Sequence, residues 1–118
     1  MKVLFLDDNK ERTKEFSKNV PHAITVSTAE ECVDKLKKDK FDVCSLDHDL
    51  GGEEFVDSGR EDCGMEVVRW IMQNEPVIEL IVVHSWNIPA AKRMTENLRD
   101  SGYSVSTSPF TPYTMIGN

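Results

Sequence analysis

Short apolar, strand-forming runs alternate with helical stretches along this chain, which limits the fold to a sheet with helices packed on it. KVLFL at 2–6, AITV at 23–26, FDVCSL at 41–46, LIVV at 80–83 and YSVST at 103–107 predict five strands. Helices are predicted over 10–18 behind an Asn9 cap, and from a Ser27 or Thr28 cap to about Lys38. Two more are predicted over 64–74 and over 89–101, the last with Pro89 in its first turn and Gly102 at its end. The first, third and fourth runs are almost wholly apolar, the mark of parallel strands covered on both faces. The expected architecture is one α/β domain over residues 1–118, a three-layer sandwich around a five-stranded parallel sheet. After the fifth run only SPFTPYTMIGN remains, so the last helix is expected to be missing or truncated.

In such sheets ligands bind beyond the carboxyl ends of the strands. Asp7 and Asp8 follow the first strand, Asp47, His48 and Asp49 the third, and His84, Ser85 and Asn87 the fourth; Ser106, Thr107 and Ser108 close the fifth. Converging carboxylates repel one another unless a cation sits among them. Oxygen donors from Asp7, Asp8, Asp47 and Asp49 suit Mg²⁺, and inward-facing His48 or His84 would admit Mn²⁺. Read singly, each residue is weak: Asp7 or Asp8 can merely cap a helix, and Ser85 or Ser108 can bond backbone. A solvated His48 and a satisfied buried His84 are equally ordinary. The conjunction carries the inference. The stretch at 49–62, DLGGEEFVDSGRED, has no helical stripe, and loops of such length are usually functional.

Composition narrows the partners. A formal net charge of −7 argues against duplex DNA binding, which rests on phosphate neutralisation. No apolar run approaches a membrane span. The three cysteines lack CxxC spacing, so reduced thiols and a cytoplasmic setting are expected.

LFLDDN at 4–9, FDVCSLDHDL at 41–50, GMEVVRWI at 64–71, IVVHS at 81–85 and SP at 108–109 together resemble the receiver domains of two-component response regulators, over residues 1–109. The resemblance implies a flavodoxin-like (CheY-like) sheet of order 2-1-3-4-5. It matches Asp7 and Asp8 to the receivers' acidic pair, Asp47 to the phosphoacceptor, and Asp49 to the residue whose carbonyl joins the Mg²⁺ shell. Ser85 matches the hydroxyl after strand four, with His84 there in a register shifted by one. Ser108 stands where receivers carry lysine, and His48 where they carry an apolar or uncharged residue.

LDDN, SLDHDLG and HSWN further resemble a divergent receiver subgroup thought to process cyclic phosphates. That implies a stand-alone phosphoesterase using Mg²⁺ or Mn²⁺, acting on a phosphorylated small molecule or an RNA-end cyclic phosphate. Asp7, Asp8 and Asp47 would then hold the ion, with Asp47 or a water as nucleophile. His48 or His84 would serve as general acid, and Ser85, Asn87 and Ser108 would contact phosphate. The alternatives are a receiver phosphorylated at Asp47 by a kinase or small phosphodonor, and a pseudo-receiver that only binds a partner.

Overall fold

The computed structural model describes residues 1–52 and 56–107. Five parallel strands, β1 (Val3–Leu6), β2 (Ile24–Val26), β3 (Val43–Leu46), β4 (Leu80–Val83) and β5 (Val105–Thr107), form one sheet of order β2-β1-β3-β4-β5. The helices are α1 (Lys10–Asn19), α2 (Ala29–Lys38), α3 (Gly64–Asn74) and α4 (Ile88–Asp100). The strands fall where the apolar runs predicted them, with trimmed ends. Phe41 and Asp42 stay outside β3, and the Asp42 carboxylate accepts the Lys2 amide at 2.6 Å. Tyr103 stays outside β5, its hydroxyl donating to the Pro76 carbonyl at 2.6 Å. The expected truncation of the last helix falls outside the described residues, as does Ser108.

The capping signals explain the helix starts. Asn9 accepts the Arg12 amide, Thr28 the Glu31 amide, and Asn87 the Ala90 amide. Glu31 reaches back over the same helix start, its carboxylate accepting the amide of Ser27, the residue before the cap, at 3.3 Å.

Strand alternation sends side chains to two unequal cores. Leu4, Leu6, Cys44, Leu46, Ile81 and Val83 meet residues of α2, α3 and α4 in the larger one. Val3, Phe5, Val43 and Val82 meet Phe16 of α1 in the smaller. Cys32 and Cys44 lie in the large core, where burial pushes the Cys44 thiol up to about 12 and raises Cys32 as well. Both are therefore expected to resist Ellman's reagent in the native protein and to react once it is unfolded in guanidinium. Fast labelling of either in the native state would contradict this packing.

Candidate functional site

The pairing register places the first polar residue after each central strand in one row. Leu6 pairs with Leu46 and Leu46 with Val83, so Asp7, Asp47 and His84 stand side by side at the next step. Their amides continue the ladder, Asp7 N–H donating to the Val26 carbonyl, Asp47 to Leu6 and His84 to Leu46, at 3.0 to 3.1 Å. Alternation then turns all three side chains to the α1 face, the face of Phe5, Ser45 and Val82. They converge there: one donor atom from each lies within 4.8 Å of the others, and all three residues are buried.

The row is held by a guanidinium and an imidazole. Arg12, projecting from α1, donates to both Asp7 oxygens, from Nε at 2.8 Å and from Nη2 at 3.0 Å. The same Nη2 reaches Asp47 Oδ2 at 3.4 Å. His84 Nε2 lies 3.2 Å from Asp7 Oδ2, and its Nδ1 lies 2.8 Å from Ser45 Oγ. The network assigns the ring proton to Nε2, with the Ser45 hydroxyl donating to Nδ1. Phe5 stacks flat on the imidazole at 4.8 Å and on Phe16 at 4.1 Å, so one aromatic column joins α1 to the site.

The two carboxylates are unequal. Burial opposes ionisation of Asp7, but the hydrogen bonds from His84 and Arg12 outweigh it and hold the carboxyl at about 2. Burial, aided by the Asp7 charge, pushes Asp47 up to about 8 against the pull of Arg12. Burial likewise lowers His84, leaving the imidazole neutral. One guanidinium is thus shared between two buried acids, and the second is short of positive charge.

His48 and Asp49 belong to a different network. The imidazole is fully buried, yet its Nδ1 donates to Asp49 Oδ1 at 2.7 Å and its Nε2 meets Ser58 Oγ at 3.0 Å. Burial pulls its pKa down, and the neighbouring Cys63 and Asp49 more than offset this, so His48 is raised. Asp49 Oδ1 also accepts the Val56 amide at 3.0 Å and Asn87 Nδ2 at 3.1 Å. His48 and Asp49 therefore fasten the loop that the sequence marked as functional. Asn87 is committed to capping α4 and to Asp49. Ser85 Oγ accepts the Asn87 amide at 3.0 Å, which leaves its own proton to give. Asp8, half-buried, accepts the Gly52 amide and lines the cleft with Asp47 and Arg12, close enough for its charge to raise both of them.

A cleft of about 590 Å³ reaches the row at Asp47 and is lined also by Asp8, Lys10, Arg12, Ser85 and Asn87 among others, with Trp86, 61% exposed, on its wall. A second cleft, about 790 Å³, shares Asp8, Lys10 and Gly52 with it and runs along α1 and β2. Among the described residues, no helix is long and apolar enough to cross a membrane.

Residues 2–100 match the model of the cyclic-phosphate processing receiver domain. The chain belongs to that receiver family. Solved receivers share its fold at low identity. CheY4, a chemotaxis response regulator of Vibrio cholerae, is 21% identical with a TM-score of 0.62, covering 94% of this chain and 88% of its own. The N-terminal domain of a response regulator/sensory box/GGDEF protein from Carboxydothermus hydrogenoformans is 18% identical with a TM-score of 0.65, covering 95% and 85%. The Mn²⁺-bound response regulator Rcp1 is 12% identical with a TM-score of 0.63, covering 96% and 83%. No curated protein matches the chain.

The residues of this receiver fit a divalent cation. Two buried carboxylates and one imidazole offer the mixed oxygen and nitrogen set that Mg²⁺ tolerates and Mn²⁺ favours. Ser45 can serve either state, since its hydroxyl accepts from Nδ1–H once Nε2 is a ligand. Sequence reasoning missed Arg12, Ser45 and Ser58. A lone serine inside an apolar strand was the available sign for Ser45; Arg12 and Ser58 carried none.

Proposed function

We propose that this receiver is a divalent-cation-dependent phosphoesterase that opens a cyclic phosphate on a nucleotide or an RNA end. The observation that carries it is the convergence of Asp7, Asp47 and His84, where two buried acids share one guanidinium and Asp47 and Arg12 line a cleft. For want of a second positive charge Asp47 keeps its proton, and this supports a divalent ion that displaces it at Asp7, Asp47 and His84. When bound, the ion supplies a Lewis acid for the phosphoryl oxygen.

The chain's own groups do the rest. Asp47, on the cleft wall, positions the attacking water. Ser85 gives its free hydroxyl proton to a nonbridging oxygen. Water oxygen forms the new bond to phosphorus, one ribose–oxygen bond to phosphorus breaks, and the water proton ends on the ribose hydroxyl. Ser108 in place of the receiver lysine favours turnover over a stable phosphoaspartate, because the point charge that steadies the phosphoryl group is missing.

The test is incubation with Mn²⁺ or Mg²⁺ and a panel of 2′,3′-cyclic nucleotides, followed by phosphorus NMR. Many product molecules per chain are expected. A stable mass gain from a small phosphodonor, without turnover of any cyclic phosphate, would make Asp47 a phosphoacceptor and sink the enzyme.

A further inference from the structure

Arg12 is bonded to both acids that would hold an ion. Asp7 Oδ2 takes the Arg12 Nε proton at 2.8 Å and Asp47 Oδ2 takes Nη2 at 3.4 Å, while these acids also supply two of the three converging donors. A divalent ion would sit roughly 2.0–2.6 Å from such oxygens. A guanidinium and a divalent ion repel each other at that range and compete for the same two carboxyl groups.

The guanidinium has somewhere to go. Its side chain is 29% exposed, and it lines the cleft beside Ser85. A planar fork of N–H donors binds a phosphoryl group through two parallel hydrogen bonds. Lys10, the other cation on the cleft lining, is exposed and has no such anchorage in the row. The resemblance to response-regulator receivers sets Ser108 where they carry lysine, which leaves Arg12 as the anchored cation on the cleft lining.

We propose that Arg12 is an exchangeable cation: it holds Asp7 and Asp47 when no divalent ion is bound, and on ion entry turns into the cleft to bind the phosphoryl group. This rests on the reading that the site takes an ion and a phosphate, and its test measures binding without turnover. Mn²⁺ affinity is read by electron paramagnetic resonance, and affinity for inorganic phosphate at saturating Mn²⁺ by calorimetry.

Arg12→Gln removes the competitor, so Mn²⁺ binds about tenfold tighter or more, and phosphate about tenfold weaker, the scale of one charge-assisted hydrogen bond. Arg12→Lys keeps the charge but loses the fork, so Mn²⁺ affinity stays near that of the parent while phosphate weakens. Unchanged or weaker Mn²⁺ binding in Arg12→Gln overturns the exchange, as does unchanged phosphate binding in either variant. Should Arg12→Gln fail to fold by circular dichroism, phosphate binding by Arg12→Lys decides alone. A parent protein that binds no Mn²⁺ overturns both readings. One that shows the exchange but opens no cyclic phosphate keeps the exchange and loses the phosphoesterase.

Discussion

Asp47→Asn is expected to lose cyclic-phosphate turnover by about 1,000-fold or more, yet to melt higher than the parent in EDTA at neutral pH. The two effects share a cause. Asp47 is buried beside Asp7, with its carboxyl pushed up to about 8 from an ordinary 3.8. Between those values the native chain holds a proton that the unfolded chain has released, so the parent loses stability as pH rises through that window. Asparagine keeps the shape without the ionisation. The metal-free variant should therefore gain on the order of 5 °C at pH 7. That gain should shrink towards pH 4, where the unfolded carboxyl is protonated too. Melting curves at the two pH values, with turnover at saturating Mn²⁺, test both halves. Retained turnover would remove Asp47 from the chemistry, and a variant melting lower than the parent would contradict its strained burial.

Gly64→Ala is expected to be the most damaging single-methyl change. A Cβ there would collide with the Asp47 carbonyl oxygen and fall 2.9 Å from His48 Cα, both backbone atoms. The Gly64 amide also donates to the His48 carbonyl at 2.8 Å, so α3 begins pressed against the end of β3. To admit the methyl group, α3 or the Asp47–His48 segment has to move. A loss of about 3 kcal/mol or more is expected, roughly 10 °C in melting temperature, with a displaced Asp47. Gly52→Ala is the comparison: its φ of +78° strains any side chain, but no atom lies within 4 Å of the added Cβ. It should cost only about 1 kcal/mol. Equal melting temperatures for the two variants would refute the close approach at Gly64.

The scaffold was legible because its signals are local. Apolar runs marked the strands, and Asn9, Thr28 and Asn87 with Pro89 marked where helices begin. The site was half legible. Strand ends brought Asp7, Asp47 and His84 to one edge, but alternation sorts that edge by face, and consecutive residues part company. Asp47 turns towards α1, while His48 turns into the network of Ser58 and Asp49. Asp8 and Asp49 each accept an amide of the neighbouring loop while lining the cleft with Asp47. Arg12 was invisible because KERTKEFSKN reads as a solvated helix, and one arginine among its charges has no periodic mark. Only the rotation of α1 over β1, a tertiary fact, aims it inward.

That helix has a consequence of its own. Of its ten residues, α1 buries only Phe16, and its other inward attachment is Arg12 on the two acids. One aromatic ring and one guanidinium moor a whole surface element. Whatever settles on the carboxylates therefore sets how tightly that element adheres, and events at the floor of the cleft are felt on the outside of the molecule as a change in grip.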